Sequence, residues 1–513
     1  MGRNSGKSAR NAPREVELKL EADAAGLEAL RAHPAIREAL ERATVKPLDA
    51  TYFDTPDRDL RRAGISLRIR RSGDRRIQTI KAARGQSAGL FDRDEWEREV
   101  PGDALDLSDL DEGPAGELLG DPAVASALAP AFAVRVERTI LDLDHGGSTA
   151  ELTIDEGVVA ADGREDAMTE VEIELKTGEA ADLFGLARDL VGAAPLRLGI
   201  RTKAERGYAL LENKPLKAVK SAAAHVMPGM SAGEGFQAIG RACLAHLLRN
   251  EPVLRLAREP DAVHQMRVAM RRLRAAISLH RSIVDDARRE AVAAEVKWMA
   301  GELGEARDLD VFIAGTARPA RHTHPDDGDI AALVAGLEEQ RERAYAAALA
   351  ALGSDRFRAM LIDVAEWIEA GPWLSAEDET RDAPVESFAA GVLARRSKRI
   401  LKRGARLAEM EPEPRHELRI AVKKLRYAVE FFAPAFEGRK AERRRRTYLE
   451  ALERLQEHLG DLNDVAVGRA RLAGAPNAEH LTPLLFGEAD ERRLLEEAVD
   501  AFEDFADART FWK

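Results

Sequence analysis

The sequence has few cysteines, few aromatic residues and no long apolar run. Cysteine occurs once in 513 residues, at Cys243, so an internal disulfide framework is excluded and a reducing compartment is expected. Aromatic residues make up 5% of the chain, which disfavours a surface built on base stacking. No segment approaches the roughly 20 apolar residues that span a bilayer, and the basic N-terminal segment has no apolar signal sequence. We therefore expect a cytoplasmic protein without a membrane partner.

What the chain does contain is material for several folding units. Hydrophobic residues make up 45% and charged residues 33%, which is typical of globular proteins with packed cores. The length predicts two or three domains. The net charge of −12 disfavours a general nucleic-acid coat, which is normally basic.

The pattern of polarity changes once along the chain. Residues 14–210 contain short segments of alternating polarity, which predict β-strands. Residues 231–513 are rich in Ala, Leu, Arg and Glu with helical periodicity, which predicts an all-α domain. Residues 211–230 combine Pro, Gly, Lys and Ala without periodicity and are interpreted as a linker. The sequence therefore predicts a strand-rich domain followed by a helical domain.

The helical half contains an internal repeat. The segment HQMRVAMRRLRAAI begins at residue 264 and HELRIAVKKLRYAV begins at residue 416. Each places a histidine and three basic residues at i, i+3, i+7 and i+10, which fall within an arc of roughly 80° on a helix. The two stripes are His264, Arg267, Arg271 and Arg274, and His416, Arg419, Lys423 and Arg426. Similar segments follow both copies, LGEARDLDV at 303 and LGDLNDVAV at 459, so two pseudo-symmetric halves are expected.

Four like charges on one stripe repel each other unless counter-charge lies against them. A solvated or acid-paired face is one interpretation of such a stripe. Recurrence of the same residue types at the same offsets favours a bound polyanion instead. A further basic helix places Arg396, Arg399 and Arg403 on one face, so a cationic groove is predicted. Nucleic acid is the competing ligand, but the scarcity of aromatic residues favours phosphate without bases.

These residues resemble the CHAD family, the conserved histidine α-helical domain. The resemblance covers about 231–513 and rests on VHQMRVAMRRLR, ARDLDV, HELRIAVKKLRY and LGDLNDV. It implies a pseudo-symmetric pair of four-helix bundles whose basic surface binds inorganic polyphosphate.

The strand-rich half sorts its charges by sign. In REVELKL, the side chains of Glu15, Glu17 and Lys19 project from one face of the first strand. Carboxylates concentrate on the first and last strands, and arginines on the middle ones. A solvent-exposed strand face explains each strand singly, but it does not explain the sorting. Closure of the sheet would bring acidic walls suited to a metal near basic walls suited to phosphate.

This half resembles the CYTH superfamily, the triphosphate tunnel enzymes, over about 14–208. The motifs are EVELK, TYFDTPDRDLRRAGISLRIR, QTIK, EVEIELK and RTKAERGY, and the order CYTH then CHAD resembles bacterial inorganic triphosphatases. The resemblance implies an eight-stranded antiparallel barrel whose tunnel hydrolyses a triphosphate with Mg²⁺ or Mn²⁺. By motif, the metal-side carboxylates are Glu15, Glu17, Asp155, Glu170 and Glu172. The phosphate-side catalytic cations are Lys19, Arg68, Arg70, Lys81, Arg138 and Lys203.

The sequence thus predicts an α+β multidomain protein that hydrolyses inorganic triphosphate and binds inorganic polyphosphate. Two other classes of function stay open: an adenylyl cyclase or a thiamine or nucleoside triphosphatase, and a non-catalytic protein bound to polyphosphate granules.

Overall fold

Two compact units make up the protein. The computed structural model describes residues 14–83, 88–108, 110, 113–375 and 377–512. Contacts assign residues up to 216, together with Arg358–Ala370, to the first unit, and Lys217–Phe357 and the chain from Gly371 onward to the second. The division falls inside the predicted linker, 211–230, whose limits stay a prediction. Within the described residues, no helix combines the length and apolar character needed to cross a membrane.

The first unit is built on a closed antiparallel barrel. Its strands are β1 (Arg14–Glu21), β2 (Thr44–Asp54), β3 (Ile65–Ser72), β4 (Arg75–Ala83), β5 (Leu90–Glu99), β6 (Ala129–His145), β7 (Ser148–Ala161), β8 (Arg164–Thr177) and the short β9 (Arg197–Leu198). Neighbours follow the order β5-β4-β3-β2-β6-β7-β8-β1, and β1 pairs again with β5. Eight strands therefore close the ring, and β9 only adds to the edge of β1. The predicted eight-stranded barrel is confirmed.

Helices surround this barrel and cover its apolar outer surface. They are α1 (Ala24–Ala32), α2 (Pro34–Leu40), α3 (Asp59–Arg62), α4 (Pro114–Leu119), α5 (Pro122–Ala127), α6 (Ala180–Ala193) and α7 (Lys203–Glu212). The outward side chains Leu18 and Leu20 of β1 are fully buried, and α6 packs on this strand and on β6, β7 and β8. Because successive side chains point to opposite faces, the charged residues of the same strands project inward. The barrel is apolar outside, and a large part of its interior is charged.

One end of the inward faces is apolar and is covered by α7. Tyr52 of β2 stacks on Phe132 of β6 with ring centroids 4.7 Å apart, and Phe132 meets Tyr208 of α7 edge-on at 5.1 Å. The Tyr208 hydroxyl donates a 2.6 Å hydrogen bond to buried Asp54. The helix starts in a capping box between Thr202 and Glu205, which fixes the position of its first turn. Helix α7 was not among the elements that the sequence predicts.

The second unit is helical, as expected. Together with α14, whose C-terminal part belongs to the first unit, its helices are α8 (Ala232–Ala257), α9 (Pro260–Leu279), α10 (Arg289–Glu302), α11 (Gly304–Phe312), α12 (Arg318–Thr323), α13 (Gly328–Gly353), α14 (Asp355–Ala370), α15 (Glu379–Asp382), α16 (Val385–Gly404), α17 (Pro412–Phe432), α18 (Arg439–Leu472), α19 (Ala478–Leu485) and α20 (Glu488–Asp507). The repeated motifs begin within α9 and α17. In the first copy α9 packs on α8 and α10, and α11 packs on α13. In the second copy α17 packs on α16 and α18, and α18 packs on α20. The single 34-residue helix α18 corresponds to α10 and α11, which are separated at Leu303.

Gly207 allows α7 to sit directly on the apolar end of the barrel. A Cβ atom at this position would overlap the ring of Phe132. We predict that Gly207→Ala lowers the free energy of unfolding by about 1–3 kcal/mol, because the ring or the helix must shift. Gly192→Ala on α6 is the matched control, since a Cβ there meets no atom within 4 Å, and it should be neutral or stabilising. Denaturant unfolding of both variants checks this, and equal effects would show that α7 does not pack tightly on Phe132.

Candidate active site and cationic groove

Three carboxylates, two of them buried and one partly buried, meet inside the barrel. Asp155 of β7 pairs in register with Glu170 of β8, and Glu172 follows two residues later on the same face. Carboxylate oxygens from these three residues all lie within 4.8 Å of one another, and Asp155 and Glu170 are 0% exposed. We call these residues the carboxylate triad. Carboxylates this close repel each other strongly in a buried environment unless cations lie among them.

Three cations neutralise the triad. Lys203 Nζ lies 2.9 Å from Asp155, 2.6 Å from Glu170 and 2.8 Å from Glu172. Lys19 Nζ lies 3.0 Å from Glu170 and 2.8 Å from Glu172.

The third cation is Arg138 of β6. Its guanidinium donates to Asp155 at 2.7 and 2.6 Å and to Glu172 at 3.1 Å. The cluster therefore contains three negative and three positive groups, and no net charge is left uncompensated.

The pKa values follow from this pairing. Burial alone would lower the pKa of Lys203, but Glu170, Glu172 and Asp155 hold it well above its ordinary value. Burial alone would raise the pKa of Glu172, but Lys19 and Lys203 hold it well below its ordinary value. All members are charged at neutral pH as a result, and each carboxylate is available as an anionic ligand.

The predicted phosphate-side arginines lie on the inward face of β3. Arg68 donates to the Tyr52 hydroxyl at 3.3 Å, and Arg70 forms a 3.2 Å ion pair with Glu97 of β5. Burial lowers the pKa of Arg70, and the nearby Arg68 lowers it further, because the two guanidinium groups repel. Neither arginine contacts the carboxylate triad, so their positive charge faces the barrel interior beside it.

Glu15 and Glu17, which the sequence assigns to the metal, lie outside the triad. Glu15 accepts from Lys81 at 2.7 Å, and Lys81 also lies 3.3 Å from Glu95. Glu17 pairs with Arg93, which lies opposite Glu15 in the β1–β5 register. This second group joins the first strand to β4 and β5.

Arg93 was not among the candidate residues that the sequence supplied. The available signal was its position on the same face as Glu95 in the segment RDEWE, but the register with β1 is set only when the barrel closes. Its guanidinium lies 4.6 Å from the Phe91 ring centroid and 3.6 Å from Glu15. Arg93 therefore adds a cation to the inward wall.

The triad is chemically suited to a hard divalent cation. Mg²⁺ and Mn²⁺ prefer carboxylate oxygens, and three such groups converge here from two adjacent strands. Arg138 links this acidic wall to the basic wall formed by Arg68 and Arg70. The barrel thus has groups for a cation and for phosphate oxygens side by side.

A separate groove lies in the helical unit and contains both repeated stripes. Its volume is about 1130 Å³. The predicted stripe residues that line it are His264, Arg267, Arg271, Arg274, His416, Arg419 and Lys423. Lining residues that the sequence did not single out include Arg281, Arg289, Lys297, Arg307, Lys424 and Arg471. With eleven arginines and lysines against three carboxylates among its lining residues, the groove is strongly cationic.

Four predicted residues do not line this groove. Arg426 instead forms ion pairs with Glu430 at 3.2 Å and Glu453 at 3.6 Å. The three arginines of α16, namely Arg396, Arg399 and Arg403, are also absent from the lining residues. Burial lowers the pKa of Lys424, which lines the groove, and the positive charges of Arg396, Arg274 and Arg399 also contribute to this shift. Arg396 and Arg399 therefore add to the positive potential at the groove.

Burial and mutual repulsion make the positive charge of several groove residues unfavourable. Burial is the largest cause that lowers the pKa of Lys423 to about 7; the positive charges of Arg419 and Arg271 contribute to this shift, and the charge of Asp464 opposes it. Burial likewise lowers the pKa of His264 to about 4, with Arg307 as the next cause. In the second copy, Asn463 takes the place of Arg307, and its amide oxygen lies 2.5 Å from Nδ1 of His416. Such a groove gains stability when an anion enters.

Comparison with known proteins identifies relatives of both halves. The chain is 30% identical over 172 residues to the inorganic triphosphatase of Haemophilus influenzae, a match that covers 32% of this chain and 46% of that protein. The chain thus spans less than half the length of this relative. A solved CHAD domain from the plant Ricinus communis is 27% identical, with a TM-score of 0.48, over 58% of this chain and 99% of that structure. A Hippeastrum protein with a dominant triphosphatase activity is 19% identical, with a TM-score of 0.28, over 39% of this chain and 97% of that structure.

Family sequence models match both structural units. The CYTH domain model matches residues 13–208, which include all eight barrel strands. The CHAD domain model matches residues 238–473, which include both copies of the stripe. The resemblances found in the motifs are therefore confirmed, and the chain carries a CYTH domain followed by a CHAD domain.

Proposed function

We propose that the barrel hydrolyses inorganic triphosphate to pyrophosphate and phosphate with Mg²⁺ or Mn²⁺, and that the helical unit binds inorganic polyphosphate. The observation that carries the first part is the arrangement of the triad beside Arg138, Arg68 and Arg70 inside a closed barrel. A phosphate chain needs both a cation and positively charged side chains, because its negative charge increases toward the leaving group during hydrolysis. The triphosphatase activity of the Haemophilus relative supports the same substrate.

The mechanism assigns a role to each wall. Asp155, Glu170 and Glu172 would hold a divalent cation, which when bound neutralises phosphate oxygens and the charge on the departing pyrophosphate. Arg68, Arg70 and Arg138 bind the remaining oxygens and orient the chain. Water is the nucleophile, and one proton is released as phosphate and pyrophosphate form.

The remaining candidate residues complete this assignment. Glu15 and Glu17 are the inward carboxylates left to position the attacking water or a second cation. Lys19, Lys81 and Lys203 supply further positive charge toward the phosphate chain.

If the barrel is the active site, only variants of residues that face its interior should lose hydrolysis. Arg68→Ala, Glu17→Ala and Glu170→Gln should each lower the turnover of triphosphate by at least about a hundredfold, because each removes a charge that the transition state needs. Arg135→Ala is the matched control, since Arg135 also lies on a barrel strand, β6, but pairs with Glu165 at the exposed surface. Circular dichroism of all four variants should show that each is folded like the wild type. Near-normal rates in the three inward variants would contradict the proposal.

The substrate is tested by separate measurement of the products. The protein should release phosphate and pyrophosphate from triphosphate with Mg²⁺ or Mn²⁺ and lose this activity with a chelator. Cyclic AMP from ATP would instead identify an adenylyl cyclase, and preferred release of phosphate from a nucleoside or thiamine triphosphate would identify those activities. No turnover of any substrate would leave a non-catalytic binding protein.

The groove favours polyphosphate over nucleic acid for a structural reason. Two aromatic side chains line it, Phe312 and Tyr427, but they are 8% and 4% exposed. Neither can offer a free ring face for base stacking. Its many cationic side chains can each contact a phosphate oxygen of a repetitive polyanion.

Paired arginine variants test the groove. Arg419→Ala should weaken polyphosphate binding by roughly tenfold or more, because a charge-assisted contact is lost. Arg426→Ala removes the same side chain about two turns further along α17, but from an ion pair with Glu430, and should have a smaller effect. Titration at constant salt measures both, and equal losses would place the ligand outside the groove.

Binding should also depend on pH through Lys423. Its pKa is near 7 in the free groove, so the amine is mostly neutral above that pH, and bound polyanion raises the pKa again. Affinity should therefore fall as pH rises from 7 to 9. Lys423→Arg keeps its charge throughout this window, so its affinity should fall less, by a difference of roughly tenfold at pH 9. Identical pH profiles would show that Lys423 does not contact the ligand.

A further inference from the structure

Lys203 occupies the centre of the carboxylate triad. Its ammonium contacts all three carboxylates at 2.6–2.9 Å and is 7% exposed. Lys19, by comparison, contacts two of the three. The lysine is therefore coordinated by the same oxygens that are suited to a divalent cation.

The lysine and a divalent cation cannot share this position. The triad oxygens lie within 4.8 Å of one another, so a cation that bound all three would lie within a few ångströms of the ammonium. Repulsion between such close charges is strong in a buried environment. Whichever cation binds the triad must exclude the other.

The lysine comes from a helix and not from the barrel wall. It is the first residue of α7, directly after the Thr202 cap, and the helix is anchored further along by Gly207 and Tyr208. A flexible four-carbon side chain on an anchored helix can leave the triad while α7 stays in place. Lys19, in contrast, projects from β1, a strand of the barrel wall that pairs with both β5 and β8.

We propose that Lys203 is a built-in competitor for the divalent cation. The cation binds by displacing the ammonium from Asp155, Glu170 and Glu172, and the released ammonium turns toward the phosphate chain. In the metal-free barrel Lys203 keeps the buried carboxylates neutralised. The inference rests on the proposed cation site and adds that occupation of this site releases a substrate-binding lysine. If Lys203 only bound phosphate, its removal would not increase the affinity of the barrel for a divalent cation.

Cation binding without any phosphate tests the proposal. Mn²⁺ should bind Lys203→Met roughly tenfold more tightly than the wild type, because the competitor is gone. Lys176→Met is the matched control: this lysine lies on β8, the strand that carries Glu170 and Glu172, but it pairs with Glu151 and Glu174 and not with the triad. Its effect on Mn²⁺ affinity should be less than about twofold.

Unchanged or weaker binding by Lys203→Met would overturn the proposal. If the wild type binds no Mn²⁺ while Lys203→Met does, competition is supported in its strongest form. If neither protein binds Mn²⁺, the cation site itself fails, and the proposed function fails with it.

A second measurement uses the wild-type protein and does not depend on folding of a variant. Mass spectrometry can follow acylation of the Lys203 amine with and without Mn²⁺. Labelling should rise by roughly threefold or more with Mn²⁺, because an amine displaced from Asp155, Glu170 and Glu172 is no longer held in contact with three carboxylates. Labelling of Lys176 should not change. Equal labelling of Lys203 in both conditions would show that the ammonium stays in the triad.

Discussion

The barrel depends on the pairing of three carboxylates in its interior, Asp155, Glu170 and Glu172, with three cations. A single charge in this interior would be very costly, and removal of one partner from a buried ion pair typically costs about 3–5 kcal/mol. The arrangement is stable only as a set, and it requires the inward faces of several strands to be charged. The apolar residues of those strands must then point outward, where helices such as α6 cover them. The surrounding helices are thus a direct consequence of the charged interior.

Much of this arrangement could be predicted from the sequence. Alternation in REVELKL placed Glu15, Glu17 and Lys19 on one face, and the sorting of charges by sign indicated that a closed sheet would bring acidic walls near basic walls. The division of the acidic residues could not be predicted. Glu15 and Glu17 pair with Lys81 and Arg93 because β1 meets β5 when the ring closes, a contact far apart in sequence. The position of Lys203 was equally inaccessible, because it depends on how α7 packs on Phe132.

In the helical unit, too, the sequence predicted the site but not every contact within it. The repeated stripes predicted a cationic groove, and seven of the eight stripe residues line it. The exception, Arg426, has Glu430 one turn later on the same helix, whereas Arg274 in the first copy has Ser278 at that position. An acidic residue at i+4 captures the arginine of the second copy. This difference was present in the sequence, but equal offsets alone did not reveal it. Arg307 of the first copy corresponds to Asn463 in the second. A charged guanidinium therefore lies near His264, whereas a neutral amide contacts His416.

We propose that one barrel interior holds a divalent cation and a triphosphate side by side, on walls sorted by charge. A crystal structure with Mn²⁺ and a non-hydrolysable triphosphate analogue tests it most directly, because anomalous scattering locates the manganese. We predict manganese within coordinating distance of Asp155, Glu170 and Glu172, with phosphate oxygens against Arg68, Arg70 and Arg138. Manganese bound away from these carboxylates, or an analogue bound outside the barrel, would contradict the account.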